Sequence, residues 1–512
     1  MRRVRLLLAF ACAAGVLATG LHVGAQGRVD DRDRDLRLLA MDANGVPPEF
    51  SADALLRIAG SGRVTDKEWQ RYLLDEAFMR AYGAQEQYRR ATTQSIPADS
   101  RQGADRQASD TALTRVSLQV RVVQLMLYLD VSRARELFQW IELGLAPGTC
   151  TDLLVPVVEE YYSALSLLAR TTFRGNRANA LNFLELYLWR AHLPSEMPSV
   201  TRAVQRFRSG RDEAAYLEGQ LRLILESGSA DARGFSSANL DILSRMADLQ
   251  VADRGLGVPN WYLMDAARDY FLAQLTKPRC TDSASERSVP GAFNATLRRI
   301  GADKEVSAIE DANLRAPLLL GAARLDPYWQ TPEAARLYAE EFALRGSGKV
   351  PRPLRERQTA EWRHDAEQLL MDIDHWSGTL EPERDFFYQK SVLFTGLIDL
   401  IPTGALRMQA VRALVEFLRR ANVDHGRRTL WFAMLTRLLE MAHGTDRREI
   451  LAALEDSQHA TLALYARLER ATPVARADTR RPTDGILASR WTPAASPSPS
   501  GTAAAGPFVA PF

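Results

Sequence analysis

Apolar residues recur at every third or fourth position along most of the chain, from about residue 30 to residue 471. Leu181, Leu184, Leu188 and Ala191 show this spacing clearly. Side chains at this spacing fall on one stripe of an α-helix, whereas a half-buried strand alternates apolar and polar residues. Because convincing alternation is absent, the pattern predicts an all-α fold.

Glycine and proline interrupt the apolar pattern at short intervals, for example at Pro147 and Pro402. Ser, Thr or Asp often follows such a break, as helix N-caps do, and Thr65 and Glu68 have the spacing of a capping box. These signals predict roughly eighteen helices of about 12–22 residues joined by short turns. Such a series is typical of stacked helical hairpins that form an α-superhelix or solenoid-like array.

Two segments combine an Ala-x3-Phe step with a proline that ends the helix. One runs from Ala134 to Pro147 and the other from Ala267 to Pro278. The step resembles the second helix of tetratricopeptide repeats. The first-helix signature of that family is absent, and the chain shows no steady period of about 34 residues. The resemblance implies a superhelix of paired helices and carries no binding specificity.

The first 25 residues have the three parts of a secretory signal peptide. Arg2, Arg3 and Arg5 form a basic start, an apolar run follows, and small residues precede Gln26. We expect cleavage before Gln26; an uncleaved membrane anchor is the alternative. No other stretch reaches transmembrane length. The mature protein is therefore predicted to be exported, either to the periplasm or out of the cell.

Removal of the signal peptide leaves two cysteines, Cys150 and Cys280. In an oxidising compartment, a pair of cysteines is interpreted first as a disulfide. The alternative is that both are separate buried thiols. The formal net charge of the whole chain is only +2. A nearly neutral protein gives no reason to expect nucleic acid as a partner.

Composition divides the chain into three parts. Residues 1–25 form the predicted signal peptide, and residues 26–472 form the predicted all-helical, repeat-like domain. Within this domain, the polar residues 94–110 have no apolar period and are predicted to be a loop. Residues 473–512 are rich in Pro, Ala and Ser. Because this tail has too little apolar surface to fold alone, it is predicted to be disordered.

No catalytic or metal-binding motif stands out in the sequence. Nucleophile elbow, phosphate-loop, dinucleotide-binding and zinc-protease patterns are all missing. His364 and His375 share a helix face, but helix rise places them about 16 Å apart, too far to bind one metal ion. We therefore predict no catalytic residue, no cofactor and no metal. Glu159 and Tyr162, which follow the Cys150 turn, are candidates to line a groove between helices, and Glu381 and Glu383 are two further candidates.

Residues 396–405, Gly-Leu-Ile-Asp-Leu-Ile-Pro-Thr-Gly-Ala, look like a conserved stretch of lytic transglycosylases. Some members of that family are exported and carry a helical superhelix. The resemblance implies a general acid shortly upstream, where this chain has Glu381 and Glu383. The family places a serine directly after its catalytic glutamate, and neither residue here is followed by one. The alternative is a buried helix ended by Pro402.

The function predicted from these observations is binding of a protein or peptide partner in the cell envelope. The many short helices and the lack of motifs favour an exported, non-enzymatic helical-repeat protein, because stacked helices offer extended binding surfaces. A glycan-cleaving enzyme that uses Glu381 or Glu383 is one alternative. A structural envelope protein without a dedicated ligand is the other.

Overall fold

The computed structural model describes residues 31–84, 89–91, 108, 111–144, 154–156, 158–191, 196–207, 211–228, 242–243, 245–249, 261–276, 283–310, 331–346, 352–378, 383–421, 428–441, 444 and 446–472. The predicted signal peptide, the predicted tail at 473–512, Cys150, Cys280 and Glu381 lie outside the described residues. So does the predicted loop at 94–110, apart from Ala108. The disulfide therefore stays a prediction.

The described residues are almost entirely α-helical, which confirms the predicted all-α fold. The helices are α1 (Asp31–Asp42), α2 (Pro48–Ala59), α3 (Lys67–Ala81), α4 (Arg115–Met126), α5 (Val131–Gln139), α6 (Glu159–Thr172), α7 (Arg177–Leu188), α8 (Met197–Phe207), α9 (Arg211–Gly228), α10 (Trp261–Thr276), α11 (Ser283–Ile300), α12 (Pro332–Arg345), α13 (Ala360–His375), α14 (Glu383–Leu400), α15 (Ala405–Arg420), α16 (Arg428–Met441), α17 (Asp446–Asp456) and α18 (Ala460–Ala471). Residues 242–243 and 245–249 are also helical, and Ala43–Gly45 form one turn of 3₁₀-helix.

Among the described residues, a short antiparallel pair of strands departs from the predicted all-helical pattern. Strands β1 (Arg89–Ala91) and β2 (Leu154–Pro156) pair with Arg90 opposite Val155. Three residues are too few to show the alternation by which strands are recognised in a sequence.

Side-chain caps start many of the helices, as the positions of Ser, Thr, Asp and Asn predict. The cap of α3 is Asp66, whose carboxylate accepts hydrogen bonds from the backbone of Glu68 (3.0 Å) and Trp69 (3.1 Å). The capping-box spacing pointed to Thr65, so the N-cap lies one residue later. Asp66 is the favoured cap because its carboxylate reaches two backbone N–H groups that have no partner within the helix.

Helices α3 and α5 run side by side in the same direction. Three hydrogen bonds join them at a constant separation of 58 residues: Arg71 to the Leu129 carbonyl (3.4 Å), Arg133 to Asp75 (2.9 Å) and Tyr82 to the Trp140 carbonyl (3.2 Å). A constant separation requires parallel helices in register. Since α4 connects the two, this is the geometry of stacked helical hairpins, as the sequence predicted.

A second parallel pair, α6 and α8, has a shorter repeat. Arg202 pairs with Glu159, and Arg206 donates to the Ser163 hydroxyl (3.0 Å), both across 43 residues. The repeat length therefore changes along the stack. This variation explains why no steady period is visible in the sequence.

Helix α2, near the start of the described residues, packs against α16 and α18, near their end. The ring centroid of Phe50 on α2 lies 5.6 Å from that of Trp431, 5.4 Å from that of Phe432 and 6.4 Å from that of Tyr465. Arg428 adds an ion pair to Glu49 at 3.3 Å. A stack of hairpins has an apolar surface at each end that must be covered. Here α2, α16 and α18 cover one another.

Candidate interaction surface

A deeply buried carboxylate of the described region, that of Asp53, belongs to a structural ion cluster. Asp53 on α2 is 2% exposed, and its carboxylate accepts hydrogen bonds from Arg57 and Arg121 (2.8 Å each) and from Tyr465 (2.9 Å). Burial alone raises the pKa of Asp53, but the two arginines and Tyr465 outweigh it and lower the pKa to about 2. Because four side chains satisfy one another here, the cluster holds three helices together.

The groove candidates Glu159 and Tyr162 lie at the contact between α6 and the start of α8. Tyr162 is 1% exposed, and its hydroxyl donates a hydrogen bond of 2.6 Å to the equally buried Glu196. Burial, with the added effect of Glu196, raises the pKa of Tyr162 well above its usual value. Glu159 is 30% exposed and pairs with Arg202. The two residues share one side of α6, and there they bind neighbouring helices of the same chain.

The segment at 396–405 covers the end of α14, Pro402 and the start of α15. Leu397 and Ile398 are fully buried in the core. A Cβ at Gly396 would lie 2.8 Å from Oε1 of Glu341, and this buried carboxylate pairs with Arg345 at 2.7 Å. The glycine therefore makes room for a charge on α12. Glu383 is the first residue of α14, and its side chain, like Glu381, lies outside the described residues.

A buried amine was not predicted from the sequence. Lys390 on α14 is 5% exposed, and its Nζ donates hydrogen bonds to the carbonyls of Asp374 (2.8 Å) and Trp376 (2.9 Å) at the end of α13. Three aromatic rings surround it, those of Phe386, Phe394 and Phe417, with centroids 5.2–5.9 Å from Nζ. Burial lowers the pKa of Lys390 to about 8. The amine caps the carboxyl end of a helix, where cations are favourable.

Aromatic residues at three helix ends, two exposed and one half-buried, form a different kind of site. Tyr82, Trp140 and Trp189 are the residues directly after α3, α5 and α7, and each acts as a C-cap. Trp140 is 62% exposed and Trp189 is 60% exposed. We call these three residues the aromatic edge.

Contacts between neighbouring helices link Tyr82 to the backbone of Trp140 and join the ends of α5 and α7. The hydroxyl of Tyr82 donates to the backbone carbonyl of Trp140 at 3.2 Å. Two residues before each tryptophan, the rings of Phe138 and Tyr187 pack at 5.2 Å between centroids. The carboxyl ends of α5 and α7 therefore meet. Two residues correspond to about 200° around a helix, so the buried rings and the exposed tryptophans point to opposite sides.

The side chains around the aromatic edge hold its rings in place. The Trp189 indole donates a hydrogen bond of 3.0 Å to Glu185, whose other oxygen accepts from Tyr216. The guanidinium of Arg115 lies 4.3 Å from the Tyr82 ring centroid. No described residue accepts a hydrogen bond from the Trp140 indole. The edge thus presents two open indole faces and one unused N–H donor.

An open depression with polar walls lies beside the aromatic edge. Its lining comes from the outward face of α5 and the turn before it: Asp130, Ser132, Arg133, Arg135, Glu136 and Gln139. Gln139 directly precedes Trp140 in the chain. Apolar anchors bordered by polar residues are the usual composition of a protein-binding surface.

The comparisons with known proteins found no match to a family model, to a curated protein or to a solved structure. The two family resemblances stay predictions. Within the described ranges, no helix has both the length and the apolar character needed to cross a membrane. Among the same residues, no three His, Cys, Asp or Glu side chains are grouped so that they could hold a metal ion.

Proposed function

We propose that this protein is an exported, non-enzymatic helical-repeat protein that binds a protein or peptide partner in the cell envelope through the aromatic edge. The observation that carries the proposal is the exposure of Trp140 and Trp189, 62% and 60%, at helix ends that meet. Tryptophan is among the residues most often found to dominate the energy of protein interfaces. Trp140 and Trp189, which follow helices that touch at Phe138 and Tyr187, each offer a large apolar area to bury.

The helices beneath the edge support this role because they are firmly packed. Phe138 is fully buried and stacks on Tyr161 at 4.8 Å between ring centroids, in addition to its contact with Tyr187. Anchors held rigidly before binding lose less conformational entropy when the partner arrives. The packing therefore supports tight binding without rearrangement.

Export supports the choice of compartment for the partner. It rests on the pattern of residues 1–25, whose basic start, apolar run and small residues are typical of a secretory signal. A partner would then be a protein of the periplasm, the envelope or the medium.

Site-specific photo-crosslinking tests the proposal. A photoreactive phenylalanine analogue would replace Trp140, Trp189 or, as a control, Tyr262 in the full chain expressed in its native envelope. Tyr262 on α10 is a suitable control because it is 71% exposed and lies outside the aromatic edge. We expect positions 140 and 189 to give the same discrete crosslinked protein and position 262 not to give it.

Two results would contradict this function. One is an absence of crosslinks at positions 140 and 189. The other is an equal set of crosslinks at all three positions, which would show only random encounters. Release of muropeptides when the purified protein is incubated with peptidoglycan would instead support the glycan-cleaving alternative.

A further inference from the structure

We propose that His459 is a proton sensor that weakens the contact of α18 with α2 and α16 when the solution becomes mildly acidic. This inference goes beyond the proposed function and does not depend on it. It is carried by the position of His459 at the start of α18, by the packing of its ring on α16 and by the charges around that ring.

Helix α18 holds the end of the described helical region to its start. The Tyr465 ring lies 4.8 Å from that of Phe432 and 6.4 Å from that of Phe50, measured between centroids. Further along α18, Arg467 pairs with Asp42 at 2.7 Å. A displacement of α18 would therefore break contacts between residues 415 and 425 positions apart in the chain.

The His459 side chain lies where α18 begins and packs on the aromatic cluster. The residue is half-buried, and the centroid of its imidazole lies 5.4 Å from that of the Trp431 ring, with an angle of 36° between the planes. Trp431 is fully buried, and its ring lies 5.6 Å from that of Phe50 on α2. The imidazole thus packs on the ring that links α16 to α2.

The hydrogen-bonding position of His459 suits a neutral imidazole. Its Nδ1 is buried, and no described residue bonds to it. A neutral imidazole keeps one nitrogen as an acceptor, whereas a protonated one has a donor at each nitrogen, so Nδ1–H would be buried without an acceptor. His459 is also the N-cap of α18. A cation is unfavourable there because the free backbone N–H groups of the first turn carry partial positive charge.

The charges around His459 also oppose a proton on its ring. Burial of the ring, and then the positive charge of Arg419 on α15, lower the pKa of His459 below its usual value. The carboxylate of Glu416 does not serve His459, because Arg419 and Arg420 already share it at 2.5 Å each. The Trp431 ring would attract a cation, but burial and Arg419 outweigh this attraction.

The direction of the pH effect follows from the lowered pKa. When α18 leaves α16, the imidazole meets water and its pKa returns towards the usual 6.5. The open state then binds more protons than the closed state, so the contact of α18 is strongest above about pH 6.5 and weakens as the pH falls through the pKa of the closed state. Asp53, with pKa values of 3.8 and about 2 in the unfolded and folded states, responds in a separate, more acidic range.

Hydrogen exchange of the purified protein, followed by mass spectrometry, tests the inference. Protection of α18 would be compared at about pH 7 and about pH 5 after correction for the intrinsic exchange rates, with peptides from α9 as the internal reference. In the wild type, we expect the protection of α18 to fall about threefold or more at the lower pH, relative to α9. His459→Gln, which is neutral at both pH values, should remove this dependence. His364→Gln, at an exposed position on α13, is the matched control and should behave as the wild type does.

The pH dependence within each variant is the decisive quantity, so a general loss of packing in His459→Gln does not imitate the expected result. A second variant, His459→Phe, keeps a ring against Trp431 without a titratable group and should protect α18 equally at both pH values. Equal protection of α18 at both pH values in the wild type would overturn the inference. So would a pH dependence that persists unchanged in His459→Gln and His459→Phe.

Discussion

The hydroxyl of Tyr465 donates a hydrogen bond of 2.9 Å to Oδ2 of Asp53, a residue 412 positions earlier in the chain. This bond joins the last described helix to the second one. The same carboxylate binds Arg57 and Arg121, so residues from α2, α4 and α18 share one buried charge. The two ends of the helical region are thus held together by a polar contact inside an aromatic cluster.

Replacement of Tyr465 by phenylalanine should weaken this junction without creating a cavity. The change removes one hydrogen bond to a charged group, for which the expected loss is about 1.5–3 kcal/mol in the free energy of unfolding. Chemical denaturation followed by circular dichroism measures it. Tyr262→Phe, at an exposed position, is the control and should differ little from the wild type. An equal stability of Tyr465→Phe and wild type would show that the hydroxyl contributes nothing.

Replacement of Asp53 by asparagine should be more damaging and should depend on pH. It leaves Arg57 and Arg121 without their common acceptor charge, so we expect a loss of about 3–5 kcal/mol at neutral pH. Folding lowers the pKa of Asp53 from 3.8 to about 2. At pH values between these two, the folded state therefore binds fewer protons than the unfolded state. The stabilisation is therefore present above about pH 4 and is lost as the pH falls towards 2.

Denaturation of the wild type and of Asp53→Asn over the range from neutral pH to pH 2 checks this dependence. The difference between the two free energies of unfolding should shrink as the solution becomes more acidic. A difference that stays constant throughout the range would mean that the Asp53 charge is not what stabilises the junction.

Replacement by alanine should lower the stability of the protein at one glycine and raise it at another. A Cβ at Gly83 would lie 2.7 Å from Cβ and 2.8 Å from Cγ of Pro48, whose ring begins α2. Because the ring is fixed, Gly83→Ala should destabilise the protein by about 1–3 kcal/mol. Gly219 lies within α9 with nothing within 4 Å of an added Cβ. Alanine there should stabilise the helix by up to about 1 kcal/mol.

Thermal unfolding of the two glycine variants checks this prediction, since each serves as the control for the other. Shifts of the same sign would contradict it.

Lys390 should make the stability rise at alkaline pH. Burial lowers its pKa from 10.5 to about 8 in the folded state. Between these values, the unfolded state binds more protons than the folded one, so the free energy of unfolding increases as the pH rises from 8 to 10.5. Lys390→Met should lack this contribution at every pH, although it also loses the donors to the Asp374 and Trp376 carbonyls.

The measurement is the difference in unfolding free energy between the wild type and Lys390→Met at several pH values from 7 to 10.5. As the pH rises, this difference should increase steadily in favour of the wild type. The free energy of unfolding of Lys304→Met, at an exposed position, should have the same pH dependence as that of the wild type. A flat difference for Lys390→Met would show that the buried amine keeps its proton over this range.

The sequence by itself determined that the chain is helical and roughly where its helices lie. Spacings such as Leu181, Leu184 and Leu188 and the caps near Asp66 act within one or two turns, so their effect is visible in a short segment. It also determined that the helices are stacked in pairs. The contacts at a constant separation of 58 residues between α3 and α5 agree with that prediction.

Only the tertiary structure decided which side chains are buried with partners and which are open. Glu159 and Tyr162 were predicted to line a groove, and packing joins them to Arg202 and Glu196. The sequence did not single out Trp140 and Trp189, which the structure leaves exposed directly after α5 and α7. The physical reason is distance along the chain. A helix depends on neighbours three or four positions away, whereas the contacts of Tyr162 with Glu196 and of Tyr465 with Asp53 join residues 34 and 412 positions apart.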